Sequence, residues 1–250
     1  MPQHNEYGQP IGPALTTWTP RPLPAAICLD GRFCRLEPLD VERHATALWQ
    51  ALSQADDARM WTYLFAGPFA DASAFRHYLT DAAHSADPRH YAVIDRQRGC
   101  AVGTLALMRI AAEHGVIEVG HVTFSPWLQR TPAATEAHFL MMQYVFETLG
   151  YRRYEWKCDS LNGPSRQAAL RLGFQYEGLF RQALVYKQRS RDTAWFSILD
   201  TEWPALKAGF LRWLAPENFD AAGGQIRTLA ACRADAALAP TDVASICLGD

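Results

Sequence analysis

Long apolar runs are missing from this 250-residue chain. Its longest stretch without a charged residue runs from Tyr7 to Pro20 and is interrupted by proline and glycine, which excludes a membrane-spanning helix there. A surplus of one charge is missing as well: 24 Lys and Arg stand against 26 Asp and Glu, for a net charge of -2. The broad basic footprint of a nucleic-acid binder is therefore not expected. The N-terminus, Met-Pro-Gln-His-Asn-Glu, has neither the basic segment nor the apolar segment of a secretory signal. Cysteines at metal-ligand spacing are also absent. Cys28, Cys34, Cys100, Cys158, Cys232 and Cys247 are scattered, with no C-x-x-C and no paired histidines nearby. That usage reads as reduced, mostly buried thiols in a cytoplasmic protein, with no structural zinc and no metal in the site.

What is present is an ordinary globular composition, 49% hydrophobic and 20% charged. Six of the 15 prolines fall in the first 24 residues, so residues 1–26 read as an extended arm that Leu15, Trp18 and Leu23 can anchor. A hairpin around Asp30-Gly31 opens the folded part. Val41, Ala45, Leu48, Trp49 and Leu52 mark one helical face, and Phe75, Tyr78, Leu79 and Ala82 mark another behind an Asp71 cap. Arg89–Asp95, Cys100–Ile110 and Val116–Phe124 read as an antiparallel meander. Thr131 to Leu149 reads as a long amphipathic helix stopped by Gly150. Tyr154, Trp156 and Cys158 then alternate as a strand, Asn162-Gly163-Pro164 makes a turn, and Ala168, Ala169 and Leu172 mark a short helix face ending at Gly173. Phe174–Lys187 and Asp192–Asp200 close the domain over 27–203. Residues 204–250 read as one helix presenting Leu206, Phe210, Trp213 and Leu214, followed beyond Ala215 by a weakly held tail.

Three stretches carry chemistry. In Gln129-Arg130-Thr131-Pro132-Ala133-Ala134-Thr135-Glu136, Thr131 can cap a helix whose first residue is Pro132. Free amides, the positive helix end and Arg130 together suit a pyrophosphate, although a capped helix start explains the same residues. Asn162-x-x-Ser165 leads to Arg171-Leu172-Gly173-Phe174. In the strand Ile117–Phe124, alternation puts Glu118, Gly120, Val122 and Phe124 on one face and Val119, His121 and Thr123 on the other. A carboxylate among apolar neighbours there would have a raised pKa.

In this order, these residues resemble the GNAT superfamily of acetyl-CoA-dependent N-acetyltransferases, within it the RimJ and RimL ribosomal-protein branch, over about Ile27 to Trp203. The family's Q/R-x-x-G-x-G/A pattern stands as Gln129-x-x-Pro132-x-Ala134, with Pro132 in place of the first glycine. The resemblance implies an α+β fold, a mixed and strongly twisted sheet of six to seven strands flanked by helices. Its fourth and fifth strands splay, and the cofactor's pantetheine arm bonds the backbone of Val122, Thr123 and Phe124 in the notch. Gln129, Arg130, Thr131, Ala133, Ala134 and Thr135 would receive the pyrophosphate. Asn162 and Ser165 would face the thioester, with Arg171 reaching the phosphates. Ser165 matches the branch's proton-donating serine, and Glu118 the general base, with His121 as second choice. Ala169 stands where many members place an acid tyrosine.

The activity implied is acetyl transfer to a primary amine, on a small molecule or a peptide, by direct attack in a ternary complex. Neither nucleic acid nor membrane is implied as a partner, and both monomer and homodimer stay open. A non-catalytic acyl-CoA sensor or scaffold remains a second reading, and an aromatic-rich interaction protein a third. Slight acidity favours a cationic acceptor, and the arm, with Trp18, is a candidate wall of the acceptor mouth.

Overall fold

The computed structural model describes residues 3–238. Two short strands, β1 (Gln3–His4) and β2 (Pro10–Ile11), make an exposed ribbon in the arm. After them come β3 (Leu29–Asp30), β4 (Cys34–Pro38), α1 (Val41–Leu52), α2 (Ala72–His84), β5 (Arg89–Asp95), β6 (Cys100–Ala111) and β7 (Val116–Phe124). The second half holds α3 (Pro132–Gln143), β8 (Arg153–Asp159), α4 (Gly163–Leu172), β9 (Gln175–Tyr186), β10 (Arg189–Leu199), α5 (Trp203–Leu214) and α6 (Leu229–Leu238). Strands β3 to β10 form one eight-stranded sheet in the order β3-β4-β5-β6-β7-β8-β10-β9. All pairs are antiparallel except β7–β8. The architecture is the α+β sheet flanked by helices that the sequence implied. Its eighth strand arises because the Asp30-Gly31 region yields two strands.

Local signals set the helix starts. Asp40 and Asp71 accept from the Arg43 and Ala74 amides at 2.9 and 2.8 Å, capping α1 and α2. These helices bury Leu48, Leu52, Phe75 and Leu79 on one sheet face. On the other face lies α3, which differs from the amphipathic helix expected. It is buried nearly all round, from Ala133 to Met142, because α5 lies over the side that would meet solvent. Past Gln143 it widens into a π-type turn ending at Thr148.

Glu136 ties α3 to the sheet edge. Its buried carboxylate accepts from the Arg32, Phe33 and Cys34 amides at 2.7, 2.6 and 2.8 Å. The approach is so close that a Cβ on Gly31 would lie 2.4 Å from that carboxylate.

Both appendages differ from expectation. Trp18 does anchor the arm: its indole donates to the Glu113 carbonyl at 2.8 Å and sits between Arg21 and Arg152. Leu15 and Leu23 are largely exposed. The anchor lies on the β6–β7 turn, against Gly115, so Trp18 is at the end of β7 opposite Phe124 and lines a cavity of about 410 Å³ there. Past Ala215 the chain remains packed at least as far as Cys232. Phe219 packs edge-to-face against Trp213 and Phe33, and α6 buries Leu229 and Cys232. The expected tail beyond Leu238, with Cys247, lies outside the described residues. Among the others, Cys34, Cys158 and Cys232 are buried, Cys100 is half-buried, Cys28 is exposed, and all are free thiols.

Glu136→Ala strips three amides of their acceptor and should lower unfolding free energy by about 3 kcal/mol in urea titrations. A loss below about 1 kcal/mol would show that the hairpin does not depend on this carboxylate.

Candidate active site

The site begins where two strands part. β7 and β8 pair through only four positions, from Val116 with Arg153 to Val119 with Trp156. Beyond that β7 continues to Phe124 and β8 to Asp159 without pairing each other, leaving a V-shaped notch. A bulge turns β7 away. Ala106 faces Gly120 and Thr104 faces Thr123, so Leu105 alone spans His121 and Val122, and His121 adopts a φ of 49°. The bulge also overturns the simple alternation expected for this strand. Thr123 shares the face of Glu118 and Gly120, while Phe124 joins the opposite, α3-covered face. There the His138 ring of α3 sits 5.4 Å from Phe124 and 5.2 Å from Trp156, one ring on each arm of the notch.

At the mouth on the α3 side, the phosphate stretch forms a built helix start. Thr131 Oγ1 accepts the Ala134 amide at 3.2 Å and donates to the Leu128 carbonyl at 2.7 Å. Pro132 has no amide to offer. Ala133 and Arg130 retain amides without an internal acceptor, and Arg130, at a φ of 62°, is exposed. Gln129 Nε2 donates to the Phe124 carbonyl at 2.7 Å, and so holds a backbone group at the tip of the notch. Thr135 receives the Arg171 guanidinium at 3.0 Å. Thr131, Pro132 and Ala133 line a cavity of about 260 Å³ with Arg32, Arg96, Arg98 and Trp127. Sequence reasoning missed those four. They come from separate hairpins and loops, and no spacing in the chain relates them to α3.

On the other arm, Asn162 caps α4 by accepting the Ser165 amide at 3.1 Å. Ser165 Oγ accepts from Trp156 Nε1 at 3.0 Å. The serine hydroxyl thus lies against β8 beside the notch. Ala169 is fully buried under α4, and no tyrosine takes its place on that helix.

The opposite face of the notch is polar. Glu118 is 3% exposed, and its carboxylate meets Arg109 at 2.8 Å and Lys157 at 2.9 Å. Lys157 also meets Glu155 at 2.6 Å, and Arg153 holds Glu155 at 2.7 Å. The apolar surroundings expected for Glu118 are therefore replaced by two cations. His121 stands beside His90, ring centroids 5.0 Å apart. Burial, then the Arg109 charge, lowers the His121 pKa; burial, then the His121 charge, pushes His90 down to about 4. Burial, reinforced by Arg171, takes His138 to about 3. All three rings are neutral at pH 7. No group of three metal-ligating side chains occurs among the described residues, and no helix among them is long and apolar enough to cross a membrane.

Geometry and comparison agree on the class. The model of the acetyltransferase (GNAT) domain matches residues 34–175, and the chain belongs to that family, whose members use acetyl-CoA. It is similar to the uncharacterized N-acetyltransferase YnaD of Bacillus subtilis (strain 168), 26% identical over 156 residues covering 62% of this chain and 89% of YnaD. Among solved structures it is similar to a GCN5-related N-acetyltransferase from Brucella melitensis, with a TM-score of 0.86 and 53% identity over 88% of this chain and all of that one. A ribosomal-protein alanine acetyltransferase from Vibrio fischeri shares the fold, with a TM-score of 0.57 at 14% identity over 71% of this chain and 98% of that one.

The buried neutral histidines predict an acid limb in stability. Their native pKa values lie below the unfolded value near 6.5, so their stabilisation is whole above that pH and declines as pH falls toward 4. Each adds a slope of up to about 1.4 kcal/mol per pH unit. His138→Phe should flatten the slope of unfolding free energy between pH 6.5 and 4 by about one such increment; an unaltered slope would contradict the assignment.

Proposed function

We propose that the protein transfers an acetyl group from acetyl-CoA to a primary amine by direct attack in a ternary complex, in the cytoplasm, and that it stands nearest the RimJ/RimL branch. The observation that supports this most is the unpaired stretch of β7 and β8, which leaves the edge of β7 from Val122 to Phe124 without β8 beside it, where an extended pantetheine arm could bond. An unpartnered His138 Nδ1, buried between the two arms, fits a polar ligand in the notch. The Arg130 and Ala133 amides with the helix start suit the pyrophosphate, and Arg171 is close enough to Thr135 to join them.

Bound acetyl-CoA supplies an activated thioester. His121 takes the proton of the incoming ammonium, since its lowered pKa keeps a ring nitrogen free at neutral pH. Glu118 is the weaker candidate for that role, because its carboxylate is already paired with both Arg109 and Lys157. A backbone N–H near Phe124 donates to the carbonyl oxygen as it gains charge. As the new N–C bond forms and the C–S bond breaks, the nitrogen gives up its second proton, and Ser165, acting as a relay, passes a proton to the departing sulfur. Asn162 fixes the helix turn that carries that serine.

The test is release of free thiol from acetyl-CoA on addition of amine. His121→Gln should lower kcat/KM by roughly 100- to 1,000-fold and remove the acid limb below pH 6.5. Arg130→Ala should raise the acetyl-CoA KM with little change in kcat. An acid limb lost in Glu118→Gln and kept in His121→Gln would transfer the base to Glu118. Tight acetyl-CoA binding with no thiol released by any amine would favour the sensor reading.

A further inference from the structure

Beside the notch, the β9–β10 hairpin carries Lys187, Arg189 and Arg191, and none of the three meets a carboxylate among the described residues. Arg191 is the unusual one. It is 7% exposed, donates through Nε to Thr193 at 3.1 Å, and lies over the rings of Phe65 and Tyr186. A guanidinium removed from water with no carboxylate in contact is costly, and a fixed anion against it offsets that cost.

The neighbouring acids are engaged elsewhere. Asp159 accepts the Tyr186 hydroxyl at 2.7 Å and the Leu161 amide at 2.9 Å, and Asp192 accepts the Gln182 amide at 2.7 Å. Glu118 and Glu155 belong to Lys157, Arg109 and Arg153.

Arg191 is also placed to meet the acceptor. Lys157, the first β8 residue past the paired stretch, faces Trp195, and Asp159 faces Thr193, so Arg191 continues the same row. It stands four residues along β10 from Trp195, about 13 Å at the usual rise per residue. The segment between α1 and α2 crosses above it. Lys187 holds the Trp61 carbonyl at 2.7 Å, Arg189 the Thr62 carbonyl at 2.7 Å, and Tyr63 donates to the Leu161 carbonyl at 3.1 Å. This strap places the Phe65 ring over the guanidinium.

We infer that Arg191 is the anchor for an anionic group on the acceptor, so that the amine acetylated here carries a carboxylate or phosphate elsewhere in the same molecule. This deepens the transfer reading and rests on it. It also reverses the preference for cationic acceptors that net charge alone suggests.

The probes are three peptide amides, Ala-Ala-Glu, Ala-Ala-Gln and Ala-Ala-phosphoserine, assayed by thiol release, together with succinate and inorganic phosphate titrated by calorimetry. We expect the glutamate or phosphoserine peptide to exceed the glutamine peptide at least tenfold in kcat/KM, and whichever leads identifies the anion. Arg191→Gln should abolish that preference through KM, and Arg191→Lys should restore part of it. Equal turnover of the acidic and neutral peptides, or a preference indifferent to Arg191→Gln, would overturn the anchor while leaving acetyl transfer standing. If no peptide releases thiol but succinate or phosphate binds and Arg191→Gln weakens that binding tenfold, the anchor stands and transfer to peptidyl amines fails. Absence of both turnover and anion binding overturns the anchor. Should the glutamine variant not fold, the lysine variant carries the comparison.

Discussion

The parallel pairing of β7 with β8 stops after Val119 and Trp156, and most of the site depends on that interruption. Two backbones that part inside a sheet leave N–H and C=O groups unmatched, which is tolerable only where other groups take them up. Here the parting has physical causes on each side. The bulge at His121 and Val122 swings β7 off the line of its neighbour. The His138 ring occupies the space between Phe124 and Trp156 on the α3 side. Gln129 meanwhile takes the Phe124 carbonyl, so that the strand tip stays oriented by β6 and Gln129 without β8 beside it.

On the opposite face the parted strands are held by charge. Arg109, Glu118, Lys157, Glu155 and Arg153 alternate in sign across β6, β7 and β8, and the central three side chains are all below 10% exposed. Such a buried row adds little net stability, yet losing one member leaves an uncompensated charge that costs about 3–5 kcal/mol. Its value lies in position. Lys157 lies over the Trp195 ring at 3.7 Å, so the row fixes the floor on which an acceptor would rest. A second bulge, at Arg109 and Ile110, has both amides held by Asp87 at 2.8 and 3.0 Å, and it turns the arginine toward Glu118.

Much of the framework could be read from the chain because its signals are local. Asp71 and Thr131 cap helices where their spacing from the apolar stripes placed them, and Gly173, at a φ of 106°, ends α4. Asn162, read as a turn residue, also proves to cap α4. The bulge at His121 was not legible, because the break follows from the pairing with β6 and no local pattern dictates it. Glu136 looked like part of a motif, whereas its carboxylate serves three amides more than 100 residues away in sequence. The ion pairs of Glu118 cross between strands whose register no local pattern dictates. In α6, a run of alanines around Cys232 hid the apolar contacts that dock it on α5.

Hydrogen exchange with and without acetyl-CoA tests the central claim most directly. If the parted strands receive the cofactor, adding it should slow exchange of the amides from Gly120 to Phe124 and from Arg130 to Thr135, while the paired amides of β5 stay as they were. Unchanged exchange across both segments at saturating acetyl-CoA, or protection confined to another part of the sheet, would contradict the account.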